Sequence, residues 1–167
     1  MCASIQVLEL LDNKVTSLGC EFIGRTLSPG PKCPPISILK LDHNQFGSKG
    51  LNFLAEGLKE NTYMKTLSLT YCEIDEKGAR SLLEVLIFSK SQLNELILTG
   101  NKLKNEGVKI VLNGVSIAKE LKKIYLGDNQ FNQEQDVLDC IKNCMTKNKN
   151  LPKYDFRNNE LGDDGKF

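Results

Sequence analysis

Apolar side chains recur along the chain at one fixed set of offsets. In the first copy, Ile5, Leu8 and Leu10 are followed by Asn13 and Val15, which fits the pattern L-x-x-L-x-L-x-x-N-x-L. The same offsets return five more times, as Ile36, Leu39, Leu41, Asn44, Phe46; Met64, Leu67, Leu69, Cys72, Ile74; Leu93, Leu96, Leu98, Asn101, Leu103; Leu121, Ile124, Leu126, Asn129, Phe131; and Leu151, Tyr154, Phe156, Asn159, Leu161. The chain is therefore an array of six repeats.

The length of each repeat predicts what it contains. The starts at residues 5, 36, 64, 93, 121 and 151 differ by 31, 28, 29, 28 and 30 residues. A unit of that length holds a short strand followed by a full α-helix, whereas about 20 to 24 residues leave room only for a tight turn. The apolar offsets place the strands at about residues 6–10, 37–41, 65–69, 94–98, 122–126 and 152–156. They predict one sheet of six parallel strands with helices outside it.

The second half of each unit carries a separate helical pattern. A glycine stands fourteen residues after the start in five units, as Gly19, Gly50, Gly78, Gly107 and Gly165. Just before it lie predicted helix caps, Ser17, Ser48, Asp75, Asn105 and Asp163. The fifth unit has Gln135 in place of the glycine, and an insertion of two residues explains the difference. The shifted helix is predicted to turn Leu138, Ile141 and Met145 inward.

These features together resemble one known class of repeat protein. The chain is similar to the ribonuclease-inhibitor class of leucine-rich repeats, which includes Ran GTPase-activating proteins, NOD-like receptors, tropomodulin-type actin caps and several axonemal subunits. The resemblance covers about the whole chain, 1–167, and implies a single α/β domain. That domain is a horseshoe-shaped solenoid segment of about six repeats, with a parallel sheet on the concave face and α-helices on the convex face. It implies little about function, because the class shares an architecture and little else.

The resemblance also gives a structural role to the fourth position of the strand pattern. In this class the asparagine closes the turn after the strand, and its side chain bonds main-chain groups of neighbouring repeats to form a buried ladder. The residues at that position are Asn13, Asn44, Cys72, Asn101, Asn129 and Asn159. Cys72 interrupts the ladder with a thiol. We interpret these residues as scaffold.

Residues between the apolar positions of each strand point outward onto the concave face. One such column reads Glu9, Lys40, Ser68, Ile97, Tyr125 and Asp155, and its mixture of charged, apolar and aromatic side chains is typical of a protein-binding patch. Ile97 and Tyr125 are neighbours in the column and are predicted to form an exposed apolar patch. The predicted partner-binding residues are Lys40, Tyr71, Ile97, Lys123, Tyr125, Asp155 and Arg157. A partner that grips the convex side or an end of the solenoid is the alternative.

Charge and composition exclude some classes of partner. Lys+Arg 22 against Asp+Glu 21 leaves a formal net charge of +1, so neither nucleic acid nor an anionic membrane is expected. The first residues lack the features of a secretory signal, and no apolar stretch approaches the length that a bilayer needs. Six cysteines without a paired framework spacing predict a reducing, cytoplasmic compartment. A cytoskeletal or ciliary placement follows only by analogy with members of the class.

Candidate catalytic and metal-binding residues are few. His43 is the single histidine, and no nucleophile signature adjoins it. Cys140 and Cys144 lie four residues apart on a predicted helix, but no second Cys or His pair completes a tetrahedral zinc site. A phosphate loop of the G-x-x-x-x-G-K kind is absent from the sequence. The sequence therefore predicts no enzyme, no cofactor and no bound metal.

Two functions remain open. The first is an interaction or scaffold module that binds a partner protein on its concave face, within a larger assembly that is cytoskeletal or axonemal by analogy. The second is a regulator of another enzyme, such as a ribonuclease-inhibitor-like inhibitor or a GTPase-activating protein. An inhibitor of a basic nuclease needs a strongly acidic concave face, whereas the outward columns are mixed in charge. Because a solenoid needs polar caps, we expect a segment of a longer solenoid, or neighbouring chains that cover its ends.

Overall fold

The computed structural model of the protein describes residues 4–88 and 90–162. The predicted cap Asp163 and the last predicted glycine, Gly165, lie outside these residues. Within them the elements in chain order are β1 (Val7–Glu9), α1 (Ser17–Leu27), β2 (Ile38–Lys40), α2 (Gly47–Leu58), β3 (Thr66–Ser68), α3 (Glu76–Ile87), β4 (Glu95–Ile97), α4 (Lys104–Val115), β5 (Lys123–Tyr125), α5 (Gln135–Lys147) and β6 (Lys153–Asp155). Strand and helix alternate once per repeat, as the repeat length predicts.

The six strands form one parallel sheet in the order β1 to β6. The register places equivalent repeat positions opposite each other, so that Leu8 is opposite Leu39 and Ile97 is opposite Tyr125. Each strand has three residues rather than the predicted five, although main-chain hydrogen bonds continue past its end. The Leu10 N–H, for example, donates to the Lys40 carbonyl at 2.9 Å. The predicted α/β solenoid with its parallel sheet is confirmed.

The core lies between the sheet and the helices. The second and third apolar positions of the strand pattern are fully buried in the four middle repeats, as Leu39, Leu41, Leu67, Leu69, Leu96, Leu98, Ile124 and Leu126. They share the core with buried helix residues such as Leu54, Leu82 and Val111. Because side chains alternate along a strand, burying these positions sends the residues between them to the opposite face.

The recurring glycine lies near the start of each of α1 to α4, where it makes room for the last apolar residue of the strand pattern. A Cβ on Gly78 would lie 2.6 Å from Ile74 Cγ2 and 2.7 Å from Ser48 Oγ of the preceding repeat. A Cβ on Gly50 would lie 2.7 Å from Phe46 Cβ. These distances are shorter than packed carbon atoms allow, so the glycine is required by packing within and between repeats.

One of the predicted helix caps within the described residues is confirmed. Asp75 precedes α3, and its side chain accepts hydrogen bonds from the N–H groups of Lys77 and Gly78. The prediction is wrong for three other residues, which lie inside the first turns of α1, α2 and α4, namely Ser17, Ser48 and Asn105. The residue that precedes each of these helices makes no side-chain cap hydrogen bond.

Two of these residues connect adjacent repeats instead. Ser48 Oγ donates to Asp75 Oδ1 at 2.6 Å, and Asn105 Nδ2 donates to Asn132 Oδ1 at 2.9 Å. The two pairs occupy equivalent repeat positions, because each joins the thirteenth residue of an even-numbered unit to the twelfth of the next. The polar residues that open these helices therefore hold successive repeats in register.

The fifth unit has a shifted helix, as its insertion predicts. Helix α5 begins fourteen residues after the unit start at 121, whereas α3 begins twelve residues after the start at 64. Leu138 and Ile141 are buried as predicted, but Met145 is 40% exposed. Cys144 is buried in its place, because one residue of helix rotates the side chain by about 100°.

Candidate functional site

The strand ends are held by the carboxamides of the predicted ladder. Asn101 is buried, and its Nδ2 donates to the carbonyls of Leu69 in the preceding repeat and Leu98 in its own, both at 2.8 Å. Its Oδ1 accepts hydrogen bonds from the N–H groups of Cys72 and Ile74 at 3.1 and 3.0 Å. One side chain thus satisfies four main-chain groups of a buried turn, which would otherwise carry a desolvation cost.

The other positions of the ladder repeat this geometry with variations. Nδ2 of Asn44, Asn129 and Asn159 each donates to the carbonyl of the equivalent residue in the preceding repeat, respectively Leu10, Leu98 and Leu126. Asn129 Oδ1 is buried without a hydrogen-bond partner among the described residues. Asn13 is exposed and its Nδ2 donates within its own repeat, to the Leu11 carbonyl at 2.7 Å.

Cys72 replaces the carboxamide with a buried thiol. Its Sγ donates to the Leu41 carbonyl of the preceding repeat at 3.2 Å, so the thiol keeps one of the ladder contacts. Because sulfur is a weak acceptor, the thiol is a poorer partner than the amide oxygen for the N–H groups of that repeat. Burial raises the pKa of Cys72 to about 12, so the group stays a neutral donor near pH 7.

Ile97 and Tyr125 lie side by side on β4 and β5, in the column that the sequence predicts. Both side chains are half-buried rather than exposed, so the prediction of an exposed apolar patch is wrong in degree. Lys153 of β6 covers part of the Tyr125 ring, because its Nζ lies 4.7 Å from the ring centroid. That distance fits a cation–π contact, which holds the ring in place.

Charged residues of the concave face are joined in pairs. Lys40 Nζ lies 2.6 Å from Glu9 Oε1 across β1 and β2, and Lys123 Nζ lies 3.4 Å from Glu95 Oε1 across β4 and β5. The hydrogen bond with Glu9 raises the pKa of Lys40. These pairs follow from the register, since each joins residues directly opposite on neighbouring strands.

Asp155 and Arg157 form a third pair with a different character. The Asp155 side chain is only 7% exposed and accepts hydrogen bonds from Arg157 Nε at 2.9 Å and Nη2 at 2.6 Å. The Arg157 guanidinium lowers the pKa of the Asp155 carboxyl. Asp155 is one of the predicted partner-binding residues, and its burial makes it the support that positions an exposed guanidinium.

A buried carboxylate in the middle of the face was missed by sequence reasoning. Asp42 lies just after β2, and its Oδ1 accepts hydrogen bonds from Ser68 Oγ at 2.6 Å and from the Thr70 N–H at 2.7 Å. Asp42 and Ser68 are both buried. Ser68, which follows Lys40 in the outward column given above, was the available signal, because a small polar side chain there leaves room for a carboxylate.

Tyr71 extends the concave face at the rim where the strands end. Its ring is stacked on His43 with centroids 5.2 Å apart, and its hydroxyl donates to Asp128 Oδ2 at 2.9 Å. The ring passes over Gly100, where an added Cβ would lie 2.3 Å from two ring carbons. Asp128 raises the pKa of Tyr71 by accepting the phenol hydrogen bond and by its negative charge.

All four residues of this rim occupy the eighth position of their repeats. That position has a left-handed backbone in every unit, with φ between 51° and 73°, at Asp12, His43, Tyr71, Gly100, Asp128 and Asn158. Sequence reasoning missed His43, Gly100 and Asp128 as neighbours of Tyr71. Glycine, aspartate and asparagine favour this conformation, so their recurrence at one offset was the signal.

The chain is similar to known proteins in sequence and in structure. A family model described as "Leucine Rich repeat" matches residues 60–83 and 90–109. Ribonuclease inhibitor of Mus musculus is 28% identical over 165 residues, which cover 96% of this chain and 34% of that protein. "NACHT, LRR and PYD domains-containing protein 13" of Homo sapiens is 33% identical over 120 residues, covering 72% of this chain and 10% of that protein. The chain is a leucine-rich-repeat protein of the ribonuclease-inhibitor-like class.

A solved structure described as "Leiomodin-1 Actin-Binding Site 2 (ABS2)" shares the fold of this leucine-rich-repeat protein. Its TM-score is 0.64 at 16% sequence identity, covering 87% of this chain and 79% of that one. At that identity the likeness concerns the fold alone. The chain spans about a third or less of the length of the two curated relatives named above.

Metal binding and thiol chemistry depend on which side chains meet in the part of the leucine-rich-repeat protein that the structure describes. No group of three or more His, Cys, Asp or Glu side chains there is placed to hold a metal ion. Cys140 is half-buried and Cys144 is buried, with Cys144 Sγ lying 3.8 Å from the Tyr154 hydroxyl. Burial raises the pKa of Cys144 to about 11. Among the described helices, none has the length and apolar character to cross a membrane.

Proposed function

We propose that this chain is a non-enzymatic protein-interaction module whose partner binds the concave face within a larger assembly. Tyr71 is the observation that carries the proposal. A tyrosine with φ of 51° costs roughly 1–2 kcal/mol relative to glycine, and its side chain is 45% exposed. The folded array needs only a left-handed residue at this position, and Gly100 fills it in the next repeat. An aromatic ring displayed at such a cost supports a role in binding.

The proposed binding surface combines anchors with preformed charges. Tyr71, Ile97 and Tyr125 are the anchors, because aromatic and branched side chains bury a large area with few rotamers to restrict. The polar members, Lys40, Lys123, Asp155 and Arg157, are already held in the ion pairs described above. A partner then meets a surface whose side chains are largely ordered before binding, which lowers the entropy cost of association.

Regulation of another enzyme is the second candidate, because ribonuclease inhibitors of mouse and pig are among the relatives. The charges of the concave face count against inhibition of a basic nuclease. Glu9, Glu95 and Asp155 are each paired with a lysine or arginine, so the face lacks the acidic excess that such a partner needs. The identity of the partner separates this candidate from a scaffold role.

The cellular placement is part of the proposal. Five cysteines among the described residues have free thiols, which favours a reducing cytoplasmic compartment. We also propose that the chain belongs to a cytoskeletal or axonemal assembly and that its partner is neither nucleic acid nor a membrane. Identification of the partner tests both proposals.

The experiment is affinity purification of the partner from native extract with the wild type, Tyr125→Ala, Ile97→Ser and a convex control. Arg80→Ala is the control, because Arg80 is exposed on α3. Lys109 suits this purpose less well, because its ion pair with Asp136 joins α4 to α5. We expect Tyr125→Ala to lose about 2 kcal/mol of binding, roughly 30-fold in Kd, with Arg80→Ala unchanged. Loss of the partner with Arg80→Ala alone would reject the concave site.

A further inference from the structure

The first repeat exposes side chains that are buried in every other complete repeat. Leu8 and Leu10 are half-buried, although their equivalents Leu39 and Leu41 are fully buried. Ile5 is 40% exposed, whereas Ile36, Met64, Leu93, Leu121 and Leu151 at the same position are each at most 5% exposed. We call the surface formed by Ile5, Leu8, Leu10, Val15, Leu18 and Phe22 the β1 end face.

Helix α1 continues this surface. Leu18 is 57% exposed and Phe22 is 60% exposed on α1. Phe22 and Ile5, together with Leu8, line an apolar groove of about 730 Å³ that the loop around Pro29 closes on one side. A contiguous apolar surface of this kind marks an interaction site.

The main chain of β1 is also prepared for a neighbour. The Ile38 N–H donates to the carbonyl of Gln6, just before β1, and the Lys40 carbonyl accepts from the Leu10 N–H, just after β1. Even-numbered residues of this segment therefore bond β2. Because main-chain groups alternate in direction along a strand, those of Val7 and Glu9 point to the opposite side of β1, where no strand of residues 4–88 or 90–162 lies. That edge is open to a parallel strand.

Asn13 supplies a third, independent observation. The side chains of Asn44, Asn101, Asn129 and Asn159 each reach a carbonyl of the preceding repeat, whereas the Asn13 carboxamide bonds only within its own repeat. In those four repeats the acceptor of this contact lies in the turn of the preceding leucine-rich repeat. A polar side chain suited to a ladder therefore stands beside the open strand edge.

We propose that the β1 end face docks one further leucine-rich-repeat unit, contributed from outside these 167 residues, as the next turn of the solenoid. Continuity with the interface between repeats supports this occupant. An added peptide strand would satisfy the edge of β1 but leave Phe22 exposed, and a helix alone would cover Phe22 but leave the edge and Asn13 unmet. A strand, turn and helix at the pitch of the solenoid meet all three requirements.

A second copy of the chain, stacked head to tail, is a poorer occupant. In the register of the sheet, β6 of one copy would place Asp155 directly opposite Glu9 of the next. Like charges directly opposite on paired strands are destabilising, and Asp155 is largely buried. Such stacking would also leave another open end on every added copy.

The first test adds a known repeat to the chain from Ile5 onward. Repeats 1, 3 and 5 share a left-handed residue at their tenth position, Lys14, Glu73 and Gln130, whereas repeats 2, 4 and 6 have it at their twelfth, Gly47, Lys104 and Gly162. Repeat 4 therefore matches the expected predecessor of repeat 1. Residues 93–120 are placed directly ahead of Ile5, as they stand ahead of Leu121 in the chain.

We expect the Val7 and Glu9 amides of this fusion to exchange hydrogen as slowly as Ile38 and Lys40, and Asn13→Ala to destabilise the fusion but not the unfused chain. A matched fusion carrying Leu18→Ser and Phe22→Ser is expected to lose the protection. Fast exchange at Val7 and Glu9 in a folded fusion would overturn the proposal, because the face would then not accept a repeat.

The second test identifies the natural occupant with a photo-crosslinking amino acid at Phe22 in the full natural polypeptide. The proposal predicts a cross-linked peptide that carries the leucine-rich-repeat pattern and lies outside residues 1–167. A peptide from a second copy of these residues, a peptide without the pattern, or no cross-link at all would overturn it. The β1 end face is separate from Tyr71 and Tyr125, so either proposal can fail while the other stands.

Discussion

Single side chains hold the turns of this solenoid, and Asn101 shows how much depends on one of them. We predict that Asn101→Ala destabilises the fold by roughly 1–3 kcal/mol, because four buried main-chain groups lose their partner. Denaturant unfolding measures the change. Asn13→Ala is the matched control, since Asn13 is exposed and its side chain bonds only the Leu11 carbonyl, and its effect should stay within about 0.5 kcal/mol. Equal effects would show that the ladder contributes nothing beyond its local turn.

Tyr71 provides a pH-dependent prediction at the same scale. Because Asp128 raises the pKa of Tyr71, the stabilising contact is present below about 10, the ordinary pKa of tyrosine, and is lost as pH rises through the higher folded value. Ultraviolet titration of tyrosinate should show two late-titrating residues, because burial raises the pKa of Tyr154 as well, and only one of the two should disappear in Tyr71→Phe. Asp128→Asn should return that residue to its ordinary range. A Tyr71 titration unaffected by Asp128→Asn would contradict the hydrogen bond.

Helix packing at the element scale depends on close main-chain approach. An added Cβ on Gly57 of α2 would lie within van der Waals contact of the Gly24 carbonyl of α1, at 1.9 Å from its oxygen. We predict that Gly57→Ala destabilises by at least about 2 kcal/mol, because the clash with main chain exceeds the gain of up to about 1 kcal/mol in helix propensity. Thermal unfolding measures the difference.

Gly30→Ala is the control for that prediction. Nothing lies within 4 Å of a Cβ added to Gly30, and its backbone is not left-handed. The substitution is expected to change the free energy of unfolding by less than about 0.5 kcal/mol. A tolerated Gly57→Ala would mean that α1 and α2 separate at little cost.

The elements were predictable from sequence to different degrees. Strand positions follow from the apolar offsets, because a residue such as Leu96 is buried only in one register. Helix starts were less predictable, since Ser48 and Asn105 look like caps for their own helices but bond the next repeat. That choice depends on the distance between repeats, which no local pattern encodes. The predicted burial of Met145 was wrong for a related reason. A shift of one residue in α5 buries Cys144 instead and leaves Met145 partly exposed.

Some contacts of the binding face could be predicted from the sequence and others could not. The column of Ile97 and Tyr125 and the pairing of Lys40 with Glu9 follow from equal offsets in parallel repeats. The burial of Asp155 and the contact of Lys153 with Tyr125 depend on rotamers. The position of the Tyr71 ring depends on the absence of a side chain at Gly100, one repeat away. Such contacts arise from the three-dimensional neighbourhood and have no signature within one repeat.

The buried thiols report on the integrity of the whole molecule. Burial raises the pKa of both Cys20 and Cys72 to about 12, so their reactive thiolate is scarce at pH 7. We predict that, among the five cysteines that the structure describes, the partly exposed Cys33 and Cys140 react first with an alkylating reagent in the native protein. Cys20 and Cys72 should react only on unfolding, which mass spectrometry of labelled peptides can follow. Prompt labelling of Cys72 in the folded state would contradict a closed core.

The direction from which the partner approaches is the central claim, and lysine acetylation with and without the bound partner tests it most directly. Lys40, Lys123 and Lys153 lie on the concave strands, while Lys77 and Lys142 are exposed on α3 and α5. We expect the partner to slow acetylation of the three strand lysines and to leave the acetylation rates of the two helix lysines unchanged. Slower acetylation of Lys77 and Lys142 with unchanged rates at the strand lysines would contradict that claim.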